Sequence, residues 1–502
     1  MTRGNQTYLG LDLGASGGRA VAGTLQGGRL HLEEVHRFSN GPILLGKTLY
    51  WDFLGLWDNV LKALRLCAAR GIRVSCVGID AWGADFGLLD GEGSLLANPV
   101  CYRDARTAGS ESILARRISP RRVYDIVGQA PHRVHNLAQL VTMSRSKAGR
   151  DLLGLSRCFL PVADLLRYFL CGRRSAELTT AGSCQMLDLR TRRWSRTVID
   201  ACGIPRRILP PLVQAGTLTG PLRPELAEIV RSTKTQVAAV AGHDTASAVA
   251  ALPCVDDDCA FLSCGTWSVV GTISDRPVRA SRALDKGFIN QVGLDGTFFS
   301  RNLMGLHLFE TLRRDYAQGG EALTYRQTLE EAAAAKPFAG VLNLNCPLLF
   351  YSVGQVLKGT RQFMRISGQR ANLTRGQVFR LLLEALAFTY RQTLEDLALL
   401  TGRRFLRLGV VGGGTHNGLL CQMTADATGL EVMAGPAEAT VMGNLAVQAM
   451  ACGQVKNAAG VRRLVRDSSD IKRYRPRDAS GWDRQYSRYL RVLDQTRNLA
   501  DK

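Results

Sequence analysis

Three aspartates stand beside short turns built from glycine and small polar residues. Asp12 closes an apolar run and precedes Gly14, Ala15, Ser16, Gly17 and Gly18. Asp80 opens the stretch Asp80-Ala81-Trp82-Gly83-Ala84-Asp85, and Asp244 lies in Gly242-His243-Asp244-Thr245. Glycines carry no Cβ, so backbone N–H groups in such turns can approach an anion closely. A carboxylate at the strand end before the turn can hold hydrated Mg²⁺ near phosphates. The Asp80–Asp85 stretch offers paired hydrogen bonds and a flat indole face, which suit a polyol. Asp244 can accept the proton of a substrate hydroxyl. Each also has a plainer reading. Asp12 can be bonded locally inside a tight hairpin, the Asp80–Asp85 acids can be solvated in a β-turn, and Asp244 can cap the helix that follows. The first turn is not a Walker A loop, because no Gly-Lys-Ser/Thr follows it.

The elements that position these residues are legible as patterns. Tyr8 to Leu13 and Arg19 to Ala22 are apolar runs flanking the first turn, and Ala260 to Leu262 and Val269 to Val270 flank a second, Ser263-Cys264-Gly265-Thr266-Trp267-Ser268. Both read as β-hairpins with small polar tips. They lie about half a chain apart, which predicts a duplicated α/β domain, 1–250 and 251–502. Val74 to Asp80 and Val237 to Ala241 read as buried strands, the latter followed by a helix from Thr245 to Ala251. Val378 to Leu400 is apolar at helical spacing. Leu406 to Val411 is a strand, Gly412-Gly413-Gly414 a turn with room for a base or ribose, and Asn417 to Thr428 a helix. Trp482, Tyr486 and Tyr489 mark a final helix packed on the second domain. Strands alternating with helices imply α/β architecture.

Composition bounds the function classes. The 502 residues are 46% hydrophobic and 21% charged, a globular composition that excludes disorder over most of the chain. No run of about 18 apolar residues predicts a membrane span, and the first residues lack a signal-peptide pattern. The 13 cysteines are dispersed without a Cys-x-x-Cys pair, so they are expected as buried small hydrophobes in reducing cytoplasm rather than disulfides or metal ligands. The net charge of +21 raises nucleic-acid binding as a possibility. Its arginine pairs are spread along the whole chain without a basic tail, which argues for a solvated surface favouring anionic small substrates.

Taken together, the motifs resemble those of the FGGY carbohydrate kinases, a branch of the superfamily that includes actin and Hsp70-type ATPases. The stretches that carry the resemblance are 11–19, 78–90, 242–249 (opening Gly242-His243-Asp244-Thr245), 263–268, 301–306, 412–417, 424–429 and 434–440, in family order over about residues 8–450. The resemblance implies two actin-like (ribonuclease H-like) ATPase domains with ATP and sugar in an interdomain cleft. It places Ala15, Ser16, Gly17, Gly18 and Arg19 at the ATP phosphates, with Asp12 near Mg²⁺, and gives Thr266, Glu310, Gly413 and Gly414 to the nucleotide. Asp80, Trp82, Gly83, His243, Asp244, Thr245 and Asn302 would meet the ketose, with Asp244 as base. The implied reaction is phosphorylation of a ketose at its primary O1, L-rhamnulose being the expected sugar and fuculose or xylulose the alternatives. The expected partners are that sugar and ATP, with neither nucleic acid nor membrane, for a cytoplasmic monomer or homodimer. A sugar or nucleotide sensor without catalysis is the rival on the same fold. Three departures from the family pattern stand out. Ala81 occupies a position where Thr is common, Glu310 one where Gln is usual, and a neutral stretch from Asn343 to Pro347 replaces an acidic loop.

Overall fold

A computed structural model describes residues 6–254, 256–346 and 355–496. The chain packs as two compact units. The first comprises residues 1–252, 273–299 and 439–469, and the second residues 253–272, 300–438 and 470–502.

The first unit is built on a mixed sheet. Strands β1 (Gln6–Leu13), β2 (Gly17–Gln26) and β3 (Arg29–Ser39) form an antiparallel meander. Gly27 and Gly28 make the β2–β3 turn, both at positive φ (58° and 76°), the conformation a two-residue hairpin turn demands. Strands β4 (Val74–Ala81), β5 (Thr217–Pro221) and β6 (Gln236–Ala239) complete the order β5-β6-β4-β1-β2-β3. β4 runs parallel to both β1 and β6, and parallel pairing requires a crossover. One crossover carries helix α1 (Phe53–Ala69), capped by Asp52, whose carboxylate accepts from Gly55 N. It buries Phe53, Leu56, Val60, Ala63, Leu64 and Cys67 along one stripe, and each of its large apolar side chains contributes about 1.5–3 kcal/mol. Another helix of this unit, α2 (Val162–Cys171), buries most of its residues. Helix α3 (Leu178–Ser183) is fully buried, and α4 (Asp244–Ala250) follows β6.

The second unit repeats the hairpin with β7 (Cys259–Cys264) and β8 (Trp267–Ser274). With β9 (Thr297–Met304), β10 (Arg407–Val411), β11 (Glu431–Ala434) and β12 (Lys472–Tyr474), the order is β9-β8-β7-β10-β11-β12, and the strand Phe288–Val292 adds a seventh beside β9. β7 and β10 are parallel, like β1 and β4. Helix α5 (His307–Gln318) follows β9. The long apolar pattern is helix α6 (Arg375–Thr401), opened by a Thr374/Gln377 capping box and closed by Gly402 at φ 67°. Helix α7 (Gly418–Thr428) is capped by Asn417, which accepts from Leu420 N. The segment returning to the first unit forms helix α8 (Ala439–Ala451). The final helix, α9 (Ala479–Gln495), buries Trp482, Tyr486 and Tyr489 against Phe338 and Phe388, with ring centroids 4.9–6.0 Å apart in the closest pairs. This is the packing its spacing predicts.

One expectation is corrected. Cys254 and Cys259 form a disulfide. The tight turn between them brings their Cα atoms to 6.2 Å, within bridging range, despite the lack of a Cys-x-x-Cys pattern. The remaining eleven cysteines are free thiols, nine of them buried as small hydrophobes. Among the described residues no helix is long and apolar enough to cross a membrane.

Candidate functional site

In the first unit the carboxylates meet because β1 and β4 run side by side in register. Asp12 stands opposite Asp80 on the parallel neighbour and opposite Arg19 across the hairpin. Helix α8 can lie close beneath because β1 and β4 carry glycines there. A Cβ on Gly10 would meet Val441 at 3.1 Å, and one on Gly78 would meet Asn444 Oδ1 at 2.7 Å. From that helix Asn444 Nδ2 donates to Asp80 Oδ2 at 2.6 Å, and Gln448 Nε2 donates to Asn444 Oδ1 at 2.7 Å. Asp80 is fully buried, and among the described residues its Oδ1 has no hydrogen-bond partner. Burial, followed by the neighbouring Asp12 charge, pushes its carboxyl well above the usual range. Burial also raises Asp12, with Arg19 opposing and Asp244 adding to the rise. Arg19 donates to Asp12 Oδ2 from Nε at 3.0 Å and from Nη2 at 2.9 Å.

The hairpin tip forms the wall of a cavity of about 620 Å³ lined by Asp12, Gly14, Ser16, Gly17, Gly18, Arg19, Arg37, Phe38 and Ser39. Asn40 straps the tip, donating from Nδ2 to Gly14 O and from its backbone N to Ser16 O. Ala15 packs instead against the apolar core. Gly18 is required by packing, since a Cβ there would stand 2.4 Å from the Phe38 ring. Arg37 lies opposite Arg19 on β3 and is paired with Glu34. It was not among the residues the sequence singled out.

The third carboxylate belongs to the same unit. His243 occupies the N-cap position and Asp244 is the first residue of α4. Asp244 Oδ1 accepts from the backbone N and the hydroxyl of Thr245. Among the described residues Asp244 takes no hydrogen bond on Oδ2, and its side chain keeps 35% exposure. Asp244 is thus not the N-cap residue that the plainer reading made it. His243 Nε2 lies 3.8 Å from Asp244 Oδ1. Burial lowers the imidazole's pKa below its ordinary value, with the Asp244 charge opposing. Gly83 presses on this ring so closely that a Cβ would stand 2.1 Å from it. Ala81 is fully buried in the apolar core, and its N donates to Gly242 O at 2.9 Å.

Trp82 is anchored rather than loose. Its Nε1 donates to Asp85 Oδ2 at 3.1 Å, beside Trp51 Nε1 at 2.6 Å, while Gln139 Nε2 donates to Asp85 Oδ1 at 2.7 Å. Asp85 is fully buried at φ 71°, and its hydrogen bonds counter the upward push of burial. It is not a solvated turn acid, because all three donors are buried with it. Two further residues escaped the sequence reading. Glu177 and Thr179 hold the main chain before Asp244, with Glu177 Oε2 accepting from Gly242 N at 3.1 Å and Thr179 Oγ1 from His243 N at 3.1 Å. Burial pushes the Glu177 carboxyl up to about 7. No local pattern could reveal a partner 65 residues away.

In the second unit, Thr266 is exposed at the β7–β8 tip. The tip is braced by Leu306 N donating to Gly265 O at 2.9 Å and His307 N to Thr266 O at 3.2 Å. Asn302 is exposed on β9. Glu310 on α5 is ion-paired with Arg313 at 3.1 Å. Two of the three consecutive glycines are explained by packing. A Cβ on Gly414 would stand 2.2 Å from Cys264 Sγ, and Gly412, at φ 87°, would place one 2.9 Å from Cys264 O. Only Gly413 faces open space. In the neutral stretch, Asn343, Leu344 and Cys346 are buried, and Asn343 Nδ2 bonds Thr496 Oγ1 at 3.2 Å. Pro347 lies outside the described residues.

Comparison with known proteins places the chain in a family. The N-terminal domain model of the FGGY family of carbohydrate kinases matches residues 7–251 and its C-terminal domain model residues 260–452. A protein named rhamnulokinase from Bacteroides thetaiotaomicron is 37% identical over 482 residues, 96% of this chain and 98% of that one. One of the same name from Ligilactobacillus salivarius is 30% identical over 498 residues, 99% of each chain. Among solved structures, a xylulose kinase from Rhodospirillum rubrum superposes with a TM-score of 0.79 at 19% identity, over 99% of this chain and 100% of that one. A gluconate kinase from Lactobacillus acidophilus gives 0.78 at 15%, over 98% of each. These two speak for the fold alone. With both domain models matched in order and relatives aligned over nearly the whole length, the chain belongs to the FGGY family of carbohydrate kinases.

Proposed function

We propose that this chain transfers the γ-phosphoryl group of ATP to the primary O1 hydroxyl of L-rhamnulose, with Asp244 as the general base. The observation that carries the sugar assignment is the 37% identity to a rhamnulokinase across 96% of the chain. Phosphoryl transfer asks a protein mainly for positioning and charge neutralisation, and the first unit supplies residues for both. The Asp12 carboxylate, with buried Asp80 beside it, suits a hydrated Mg²⁺ rather than an all-protein cage. Among the described residues no group of three or more His, Cys, Asp or Glu side chains gathers as a metal cage, and Mg²⁺ is ordinarily held by one or two carboxylates together with phosphates and water. When bound, the metal would neutralise charge on the phosphates. Asp12 would orient it, and the backbone of the 14–18 tip would line the phosphate side. Thr266, Glu310, Gly413 and Gly414 are assigned to the nucleotide, and Asp80, Trp82, Gly83, His243, Thr245 and Asn302 to the sugar.

The Asp244 role rests on its half-exposed carboxylate, fixed on Oδ1 by Thr245. With Oδ1 held by Thr245 and lying 3.8 Å from His243 Nε2, Oδ2 is the oxygen left to accept the hydroxyl proton. The proposal extends to a cytoplasmic monomer or homodimer.

The test is Asp244→Asn, assayed by ADP release with L-rhamnulose, alongside calorimetric sugar binding and a melting curve. We expect kcat to fall roughly 10²–10⁴-fold with sugar binding and melting kept. Near-native turnover in a folded Asn variant rejects Asp244 as base. A ketose screen in which xylulose or glycerol exceeds L-rhamnulose in kcat/KM rejects the sugar.

A further inference from the structure

We infer that Glu177, acting through the hydroxyl of Thr179, is the positioning residue that fixes the Asp244 carboxylate for proton acceptance; this rests on the reading of Asp244 as base. The inference comes from how the main chain leading into α4 is held. Gly242 N donates to Glu177 Oε2 at 3.1 Å, and Gly242 O accepts from Ala81 N at 2.9 Å. His243 N donates to Thr179 Oγ1 at 3.1 Å, and Thr179 Oγ1 in turn donates to Glu177 Oε2 at 2.5 Å. Every main-chain polar group of Gly242 and the N–H of His243 is therefore tied to a fixed partner immediately before Asp244. The direction in which the Asp244 side chain leaves the backbone is set by these ties.

Capping alone does not explain a glutamate at this position. Glu177 does cap α3, accepting from Thr179 N at 3.0 Å. Ser, Thr, Asp or Asn caps a helix as well or better, with less buried charge. What the longer carboxylate adds is reach to Gly242, and it does so at a cost, because Glu177 is fully buried and, among the described residues, its Oε1 has no hydrogen-bond partner. The support behind it is equally deliberate. Asp164 accepts from Glu177 N at 3.0 Å and from the Thr180 hydroxyl at 2.5 Å, and it is ion-paired with buried Arg167 at 2.9 Å. A Cβ on Gly242 would stand 2.8 Å from Thr180 Cγ2, so the strap lies directly on this support.

The test is Thr179→Val, which keeps shape and removes the hydroxyl link, compared with Thr179→Ser, which keeps the link. Turnover is measured by ADP release with L-rhamnulose, together with the KM for ATP, calorimetric sugar binding and melting. A displaced catalytic group slows chemistry by about 10–10²-fold. We expect Thr179→Val to lose kcat in that range with both binding constants within about twofold, and Thr179→Ser to recover most of it. We also expect no further loss when Thr179→Val is added to Asp244→Asn, because a residue acting through Asp244 has nothing left to position. Wild-type kcat in Thr179→Val overturns the inference. So does equal impairment of Thr179→Ser, or an undiminished further loss in the Asp244→Asn background. If Thr179→Val does not fold, Thr179→Ala is read by the same criteria. Near-native turnover of Asp244→Asn overturns both the base assignment and this inference. A slow Asp244→Asn beside a fast Thr179→Val overturns the positioning role alone.

Discussion

The two hairpins share one frame and differ in charge. In each, a strand turns back on itself through a small polar tip and pairs in parallel with a second strand on its other side. The penultimate residue of β1 is Asp12, facing Arg19 and Asp80, whereas the penultimate residue of β7 is Ser263, facing Val269 and Val411. The first tip therefore gathers two carboxylates and a guanidinium. The second is backed by neutral groups, with Ser268 Oγ and Tyr390 OH 2.8 Å apart and Cys264 buried against Gly414. The same backbone gathers charged groups at one tip and neutral ones at the other. Hairpin geometry alone is thus poor evidence for a phosphate site, and the strand-end residue and its two cross-strand partners carry the information.

The sharpest way to break this contrast is to truncate the strand-end residue on each side. Asp12→Ala should lower kcat/KM for Mg·ATP by roughly 10²–10³-fold, the scale of losing one electrostatic stabiliser of the transferring group, while sugar binding persists. Ser263→Ala should change it by less than about threefold. Comparable losses in the two variants, measured as ATP dependence of turnover in folded protein, would erase the distinction.

The packing side is tested at the glycines. Gly414→Ala forces a methyl group onto Cys264 and should cost about 1–3 kcal/mol, the usual range for overpacking. Adding Cys264→Ala should recover only part of that loss, because it removes Sγ but leaves the Cβ contact at 2.6 Å. Gly413→Ala, with open space around it, should stay within about 0.5 kcal/mol. Denaturant melts of the four proteins decide this, and a Gly414→Ala loss that Cys264→Ala leaves untouched would show that the contact is not its cause.

The smallest expected effect concerns buried carboxylates. Each unit holds one pushed up to about 7 by burial, Glu177 in the first and Glu384 in the second. Glu384 accepts from Phe338 N and pairs with Arg380 at 2.8 Å. Because its folded pKa lies above the unfolded value, the folded state binds the extra proton. Its contribution to stability is full below about 4.5 and is lost as pH rises through 7. Glu384→Gln removes that slope, so the variant's Tm relative to wild type should rise from pH 5 to pH 8, with kcat unchanged. A flat or falling difference would contradict the raised pKa.

Much of the fold was legible because its signals are local. Both hairpins, the β4 strand, the long α6 helix and the final aromatic helix follow from apolar periodicity and turn chemistry, which act between residues a few positions apart. The candidate carboxylates were legible for the same reason, each beside a turn. The Cys254–Cys259 bridge was missed because a Cys-x-x-Cys pattern is only one of the turns that bring two thiols within range.

The sequence alone determined which residue types stand at which strand ends, and hence that Asp12, Asp80 and Asp244 are the carboxylates to consider for chemistry. Only the tertiary structure decided what surrounds them. Register across β1 and β4 set Asp12 opposite Asp80, and a helix entering from residue 439 onward supplied Asn444 to the buried carboxylate. A glutamate 65 residues before Gly242 took hold of the chain leading to Asp244. Burial and hydrogen-bond partners fix a carboxylate's charge and direction, and both arise from residues far apart in sequence, which no local spacing encodes.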